Sequence, residues 1–438
     1  MTGSNGNSAK CRILATNSPP MFFLYNLLVH ASELLLKMVA PLSVKLTNFT
    51  AGRKDVFGRL AEKITDNDRV IWFHAASLGE FEQGLPVMEK VKAIYPEHKI
   101  LLTFFSPSGY EVRKNNTVAD LTLYLPLDTA RNASRFVELA NPELVFFIKY
   151  EFWPNYLWEL KVRKVPTYLI SGIFRENQAF FKWYGGFYRQ ALDTFTHFFV
   201  QNQKSKEMLL SLGKSNVTIS GDTRFDRVSE ILERENHLEF MDRFCDGKLT
   251  LVAGSTWPKD EAMLVDYINK SDGFKCVIAP HNINADQIEK LRQSIKKKVV
   301  LYSEMANKQL EEYDVFIVDT IGLLTKIYSY AGIAYVGGGF GKPGVHNVLE
   351  PAVFGIPVVF GPNYSHFAEA TALVENRGCI SIQDGNSLTQ KLDVLMNDPM
   401  ERAEQGHICG TFVKMNKGAT AAILKHLQYD RDQIENQQ

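Results

Sequence analysis

The sequence predicts an α/β protein built as two units in tandem, each a mostly parallel sheet covered by helices on both faces. Three observations predict it. Short, continuous apolar runs alternate with stretches of helical length, the pattern of strands buried on both sides. The series runs twice, once from about residue 69 and again from about residue 249, with a charged segment between. Glycine and polar residues collect where the runs end, the ligand side of such sheets.

The first series places strands at 69–74, 100–105, 121–125, 143–148, 166–171, 196–201 and 217–220. The second places them at 249–253, 275–279, 298–302, 315–318, 333–336 and 357–360. The charged run ILERENHLEFMDRFCDGK puts the crossing within 222–246. The expected division is an N-terminal tail and helix over 1–50, a first α/β domain over 51–235 and a second over 236–416. A helix over 417–438 is expected to pack back on the first domain. Two similar α/β units in tandem imply a cleft between them. A length of 438 residues is too much for one ordinary core.

Residues 21–46, MFFLYNLLVHASELLLKMVAPLSVKL, form a long apolar run. His30, Glu33 and Lys37 argue against a simple span, and Pro41 breaks or kinks the helix. Glu33 and Lys37 stand i,i+4 with the acid first, which supports a helix with a wet side. No small-residue cleavage site follows, so a signal peptide is not expected. Lys45, Arg53, Lys54 and Arg59 come soon after. An apolar helix followed by basic residues suits an anionic membrane surface, and packing on the protein's own body is the alternative. The extreme N-terminus, MTGSNGNSAK, is polar and expected to be loose.

Composition excludes some classes. Lys plus Arg and Asp plus Glu are each 49, so no basic field suggests nucleic acid. Cys11, Cys245, Cys276, Cys379 and Cys409 are scattered without a C-x-x-C pair, which suits a reducing compartment and argues against a zinc knuckle. No H-E-x-x-H or G-x-S-x-G occurs, so neither a zincin nor that type of serine hydrolase is expected.

The stretch 333–362, IAYVGGGFGKPGVHNVLEPAVFGIPVVFGP, reads as strand, glycine-rich turn, short helix and strand. Glycines let the backbone approach a ligand where a Cβ would intrude. His346 and Asn347 are expected at a helix start, where unpaired N–H groups suit a phosphate, with Glu350 a turn further on. The literal G-x-G-x-x-G at Gly339, Gly341 and Gly344 is not read as a dinucleotide fingerprint. It comes late, Pro343 interrupts it and no strand-end acid follows.

Other candidate groups also follow strands. Glu80 ends HAASLGE beside Ser77 and Gly79, either as a proton acceptor or as a first-turn helix acid. Glu151 in YEFWPN could hold a sugar hydroxyl, and Arg175 in SGIFRE could grip phosphate. Arg224 and Arg227 are similar candidates. In the second series Ser255, Thr256, His281, Asn282, Asp319 and Thr320 end strands; Asp319 is equally a helix cap. These residues alone describe a two-domain enzyme using a phosphorylated or nucleotide-activated donor.

Seven stretches together resemble the 3-deoxy-D-manno-octulosonic acid (Kdo) transferase family of lipopolysaccharide assembly. They are HAASLGE at 74–80, EFWPN at 151–155, SGIFRE, GDTRFD at 221–226, GSTWPKDE at 254–261, DTIG at 319–322 and the glycine-rich stretch. The resemblance implies a GT-B fold, two Rossmann-like domains facing across a cleft, with a membrane-contacting N-terminal helix. It implies inverting, metal-independent transfer of Kdo from CMP-Kdo to a lipid A precursor at the cytoplasmic face of the inner membrane, without a cofactor. It puts the catalytic base on Glu80, the glutamate of an S-x-G-E motif with Ser77 and Gly79; on the residue reading Glu151 and Arg175 join them toward the acceptor. It puts the donor on the second domain, at the loop after Pro280, at Gly322, and at Asn347 and Glu350; Ser255, Thr256, His281, Gly339 and His346 join these donor-side candidates by their positions at strand ends and in the glycine-rich stretch. Two places depart from the family pattern: His281 stands where an arginine is usual, and the M-G-E-L turn reads Ile321-Gly322-Leu323-Leu324. Another GT-B nucleotide-sugar transferase or epimerase, and a non-catalytic lipid-binding module, are the alternative readings.

Overall fold

The computed structural model describes residues 20–435; the N-terminal polar segment with Cys11, and the last three residues, lie outside the described residues. The chain divides into two compact units, one of residues 1–224 with 418–438, the other of residues 225–417.

The first unit holds seven strands: β1 Arg69–Ala75, β2 His98–Phe104, β3 Leu121–Tyr124, β4 Pro142–Ile148, β5 Thr167–Gly172, β6 His197–Val200 and β7 Val217–Ile219. Their order is β3-β2-β1-β4-β5-β6-β7, and every pair is parallel. Parallel strands need both faces covered, and β1 is buried at all but its first residue. Phe73 and Phe146 stack across the β1–β4 pair with centroids 4.5 Å apart. Trp72 and Phe147 fill the same core, and full burial of each such ring contributes roughly 1.5–3 kcal/mol. The helix Leu78–Ile94 presses on β4 so closely that a Cβ at Gly84 would stand 2.2 Å from Ile148 Cδ1.

The second unit repeats the plan with β8 Thr250–Thr256, β9 Lys275–Pro280, β10 Val299–Leu301, β11 Val315–Ile317, β12 Ile333–Val336, β13 Val358–Phe360 and β14 Cys379–Ser381. The order is β10-β11-β9-β8-β12-β13-β14, again all parallel. The sequence pattern misses β14. It is three residues long, lies at a sheet edge and buries only Cys379 fully, so its apolar signal is weak.

Both units are Rossmann-like, as a GT-B fold requires. In each, the chain reverses direction across the sheet at one point: between β1 and β4 in the first, between β8 and β12 in the second. Loops diverge there and leave a crevice at the strand ends. The units part at Arg224/Phe225, eleven residues before the expected 235/236 boundary. Phe225, Val228 and Ile231 are already buried in the second core, which draws the segment across early. The last described helix, Ala419–Glu435, belongs to the first unit and buries Ile423 and Leu427 in its core.

The N-terminal helix Pro20–Val39 is apolar on two sides. Positions 22, 25, 26, 29, 33 and 36 are half-buried, a stripe at helical spacing. Phe23, Leu24, Leu27, Leu28, Leu34, Leu35 and Met38 are exposed. Met21–Leu42 is long and apolar enough to cross a membrane. Lys37 Nζ bonds Glu33 Oε1 at 3.0 Å, and the helix gives way to a 3₁₀ turn, Ala40–Leu42, at Pro41. Two of the basic residues after it turn inward, against the expectation of a lipid-facing patch. Arg53 donates to the carbonyls of Phe49, Phe105 and Leu125, and Arg59 to Tyr110 Oη and Thr122 O. Three carbonyls engage the Arg53 guanidinium, and a hydroxyl and a carbonyl engage that of Arg59.

The four described cysteines are free and buried; Cys379 and Cys409 Sγ lie 3.9 Å apart, well beyond a disulfide bond.

Candidate active site

In the first unit the chain leaves β1 through Ala76 and Ser77 and enters the helix Leu78–Ile94 with Ser77 as its extended N-cap. Glu80 reaches back over this turn. Its Oε2 accepts the N–H of Ala76 at 2.5 Å and of Ser77 at 3.1 Å. It therefore does the work of a capping-box acid, the structural role the sequence allowed. A side chain at Gly79 would meet nothing within 4 Å, so the surface beside Glu80 is open.

Glu151 arrives from β4, the strand next to β1. Its Oε2 accepts Trp153 Nε1 at 2.9 Å and lies 3.6 Å from His74 Nε2. Trp153 Nε1 also points at His74 Nε2, 3.0 Å away. On its other side His74 Nδ1 meets Thr103 Oγ1 at 2.8 Å, and Thr103 also receives Trp72 Nε1 at 2.8 Å. The switch point thus brings two carboxyl groups together above a buried hydrogen-bonded chain.

Their electrostatics follow from this placement. Glu80 is 4% exposed, and burial pushes its carboxyl up to about 7. The charge of Glu151 pushes the same way; the two backbone N–H groups and Lys149 oppose it. Lys149 is pulled below its usual range by burial and by Arg224, against the attraction of Glu80 and Asp222. Lys149 holds a left-handed backbone, φ 70°, directly after β4. Such a conformation costs a non-glycine residue about 1–3 kcal/mol and tends to mark functional turns.

The segment 221–224 closes this corner. Asp222 accepts Gln83 Nε2 at 3.3 Å and Arg224 Nη2 at 2.7 Å, and Thr223 bonds Gln83 O and Ser171 Oγ. Arg175 is exposed on the loop after β5, close enough for its charge to lower Lys149 and Tyr150.

In the second unit, Gly337 follows β12 so close to β8 that a Cβ would lie 2.2 Å from Ser255 O. Gly338, at φ 89°, would push a Cβ to 2.6 Å from Gly344 O. Asp260, fully buried, ties the two loops together: it accepts Trp257 N at 2.9 Å, Gly338 N at 3.0 Å and Tyr335 Oη at 2.7 Å. Above them Trp257 stacks on His281 at 5.0 Å, and His281 on His346 at 4.4 Å. Trp257 Nε1 donates to His346 Nε2 at 2.9 Å. Burial and the neighbouring His281 depress His346 to about 4, so it is neutral at pH 7.

His346 and Asn347 precede a single helical turn, Leu349–Ala352, rather than opening a longer helix. His346 N is already bonded to Gly337 O at 3.1 Å, so that N–H does not reach outward as expected. Asn347 accepts Leu349 N and donates to Glu350 Oε1, both at 3.1 Å. Ser255 follows the same strand-end logic as Lys149, with φ 53°, while Thr256 Oγ1 bonds Glu261 Oε1. Pro280 ends β9 and leads into exposed His281; Gly322 turns at φ 93°. Gly339 packs against Gly361. Asp319 does not cap the helix Leu324–Ile327 that follows it; it accepts Ser303 N, from the turn after β10, at 2.9 Å. Trp257 and Asp260 were not singled out from the sequence; an acid at the third helical position gives only a capping signal.

A family model described as 3-deoxy-D-manno-octulosonic-acid transferase (kdotransferase) matches residues 52–227. Curated 3-deoxy-D-manno-octulosonic acid transferases are similar along most of the chain. That of Aquifex aeolicus is 29% identical over 77% of this chain and 88% of its own. That of Chlamydophila psittaci is 28% identical over 79% and 82%, and that of Haemophilus influenzae 26% identical over 93% and 98%. Among solved structures, the UDP-GlcNAc 2-epimerase of Neisseria meningitidis shares the fold with TM-score 0.58 and 16% identity, over 82% of this chain and all of that one. MurG of Acinetobacter baumannii does so with TM-score 0.51 and 13% identity, over 83% and 99%. The solved structures show the fold alone; the fold with the family model and the curated relatives defines the class, a glycosyltransferase of the GT-B type. Within it, the chain is similar to the Kdo transferases, by the family model over residues 52–227 and by the curated relatives along most of its length.

Proposed function

We propose that this chain transfers Kdo from CMP-Kdo to a hydroxyl of the lipid A precursor lipid IVA, releasing CMP, as an inverting, metal-independent glycosyltransferase. One observation carries the reading: a buried carboxyl, Glu80, with its midpoint at about 7, stands beside a second carboxylate at the switch point of the first sheet. A base poised near the working pH combines ionised population with proton affinity. In this mechanism Glu80 takes the proton of the acceptor hydroxyl. The freed oxygen pair bonds the anomeric carbon of Kdo as the bond to CMP breaks, and CMP leaves with those electrons. Ser77, Gly79, Glu151 and Arg175 hold the acceptor, with Arg175 toward its phosphate. Ser255, Thr256, Pro280, His281, Gly322, Gly339, His346, Asn347 and Glu350 hold the donor. His281 contributes by stacking with Trp257 and His346 rather than by the charge an arginine would bring.

The N-terminal helix keeps the enzyme at the cytoplasmic face of the inner membrane as a peripheral or monotopic protein. Its exposed apolar face suits lipid, and its opposite stripe is held to the first unit by the Tyr25 hydroxyl, 2.6 Å from Asp128. A helix held that way lies along the protein rather than free in the bilayer.

Mass spectrometry of the product formed from CMP-Kdo and purified tetra-acylated acceptor tests the reading. Wild type should add Kdo, and Glu80→Gln should lose about 100-fold or more of the rate. Normal turnover by Glu80→Gln removes Glu80 as base. Calorimetric preference for UDP-sugars over the CMP donor overturns the substrate assignment.

A further inference from the structure

The N-terminal helix is joined to the first unit by a buried polar junction as well as by apolar packing. Asp128, 2% exposed, accepts the Tyr25 hydroxyl at 2.6 Å and the backbone N–H groups of Asn155 and Tyr156, each at 3.1 Å. The next helix residue, Asn26, accepts Asn155 Nδ2 at 3.1 Å, and the same amide donates to Asp128 O at 2.5 Å. Around this junction Phe22 packs on Phe187 and Trp158, and Tyr25 on Phe187 and Tyr188. Two consecutive helix residues therefore grip one point, the start of the helix Pro154–Val162.

That point is also the far end of the segment bearing Glu151. Only Phe152, Trp153 and Pro154 separate Glu151 from Asn155. Trp153 lies between them and holds Glu151 and His74 through its Nε1. The near end is Lys149, left-handed at φ 70°. A strained start and a pinned finish leave little freedom to the five residues between, and Glu151 is one of the causes that hold the Glu80 proton.

We propose that Tyr25 and Asn26 are positioning residues: seated on Asp128 and Asn155, they fix the 149–155 segment so that Glu151 stays beside Glu80. The helix that meets lipid thereby sets the acceptor end of the site, linking membrane attachment to catalytic competence. The proposal rests on the reading of Glu80 as base and Glu151 as its neighbour at the acceptor.

The test uses the full chain in detergent micelles, so that membrane attachment does not limit the rate, with Tyr25→Phe and, separately, the milder Asn26→Ala. The Glu80 midpoint is read by carboxyl-carbon NMR of glutamate-labelled protein, with Glu80→Gln identifying the signal, and in parallel from the pH dependence of kcat. Release of the segment moves Glu151 away, so the midpoint should fall measurably below that of wild type. The kcat should fall about fivefold or more while the KM for CMP-Kdo is unchanged. A merely stabilising bond would lower the melting temperature and leave the midpoint in place; an unchanged midpoint in both folded variants overturns the proposal, whatever happens to the rate. If wild type transfers no Kdo, the functional reading fails, yet the NMR midpoints still decide whether the helix positions the carboxyl pair.

Discussion

Glu80 accepts the backbone N–H of Ser77 at 3.1 Å, so one carboxyl both closes the first turn of a helix and stands ready to receive a proton. The two roles pull against each other. Capping favours the charged form, whereas burial and Glu151 favour the neutral one and prevail.

The first expected outcome concerns rate and pH. If Glu80 is the base, kcat should rise with pH through about 7 and level off above it. Glu80→Gln should abolish that limb along with some 10²–10⁴-fold of the rate. Product formation followed across pH 5 to 9 measures both.

Stability should move the opposite way. The Glu80 carboxyl is raised in the folded protein, so the fold holds its proton more tightly than the unfolded chain. Its contribution is complete below the ordinary value of 4.5 and is lost as pH climbs through about 7. Asp128, raised from 3.8 to about 6 by burial, adds the same trend slightly lower. Glu80→Gln should therefore stabilise the first unit at pH 8, by at most ~3 kcal/mol, and do little at pH 4.5. Thermal melts of both proteins at the two pH values compare them.

The glycine loop of the second unit offers a test independent of Glu80. Gly338→Ala combines a positive φ with a Cβ 2.6 Å from a backbone oxygen, so the loop must shift. Donor binding measured by calorimetry should fall tenfold or more, about 1.4 kcal/mol or above. Vesicle binding that needs only the N-terminal helix should be unchanged.

Membrane attachment should depend on the outer face of the helix. Leu27→Ser with Leu28→Ser removes two exposed leucines and should weaken co-sedimentation with anionic vesicles. At about 25 cal/mol per Å² of apolar surface the pair is worth a few kcal/mol, enough to move most of the protein to the supernatant. Because Arg53 and Arg59 are engaged internally, the salt dependence should be shallower than four basic residues would give.

Much of this was legible in the sequence because parallel strands announce themselves. Runs such as Val70–Ala75 and Val145–Ile148 are continuous because both faces are buried, and the candidate site residues stand just past them. Glu80 and Glu151 stood out by position alone, and adjacency of β1 and β4 then brought them together. What stayed hidden depends on long-range packing. Tyr25 meets Asp128 across 103 positions, and no local spacing marks either. Arg53 reads as a surface cation until the carbonyls around it are known. Trp257, His281 and His346 come from three separate loops, so their stack follows from strand order and from no motif.

The helix Ala419–Glu435 completes the core of the first unit, although the whole second unit is encoded before it. During synthesis, the earliest-made sheet must wait, with the Ile423 and Leu427 seats unfilled, while nearly two hundred further residues emerge. A translational pause or premature stop ahead of residue 419 should therefore leave the older half of the nascent chain unfinished and dependent on chaperones, even where the younger half has already folded.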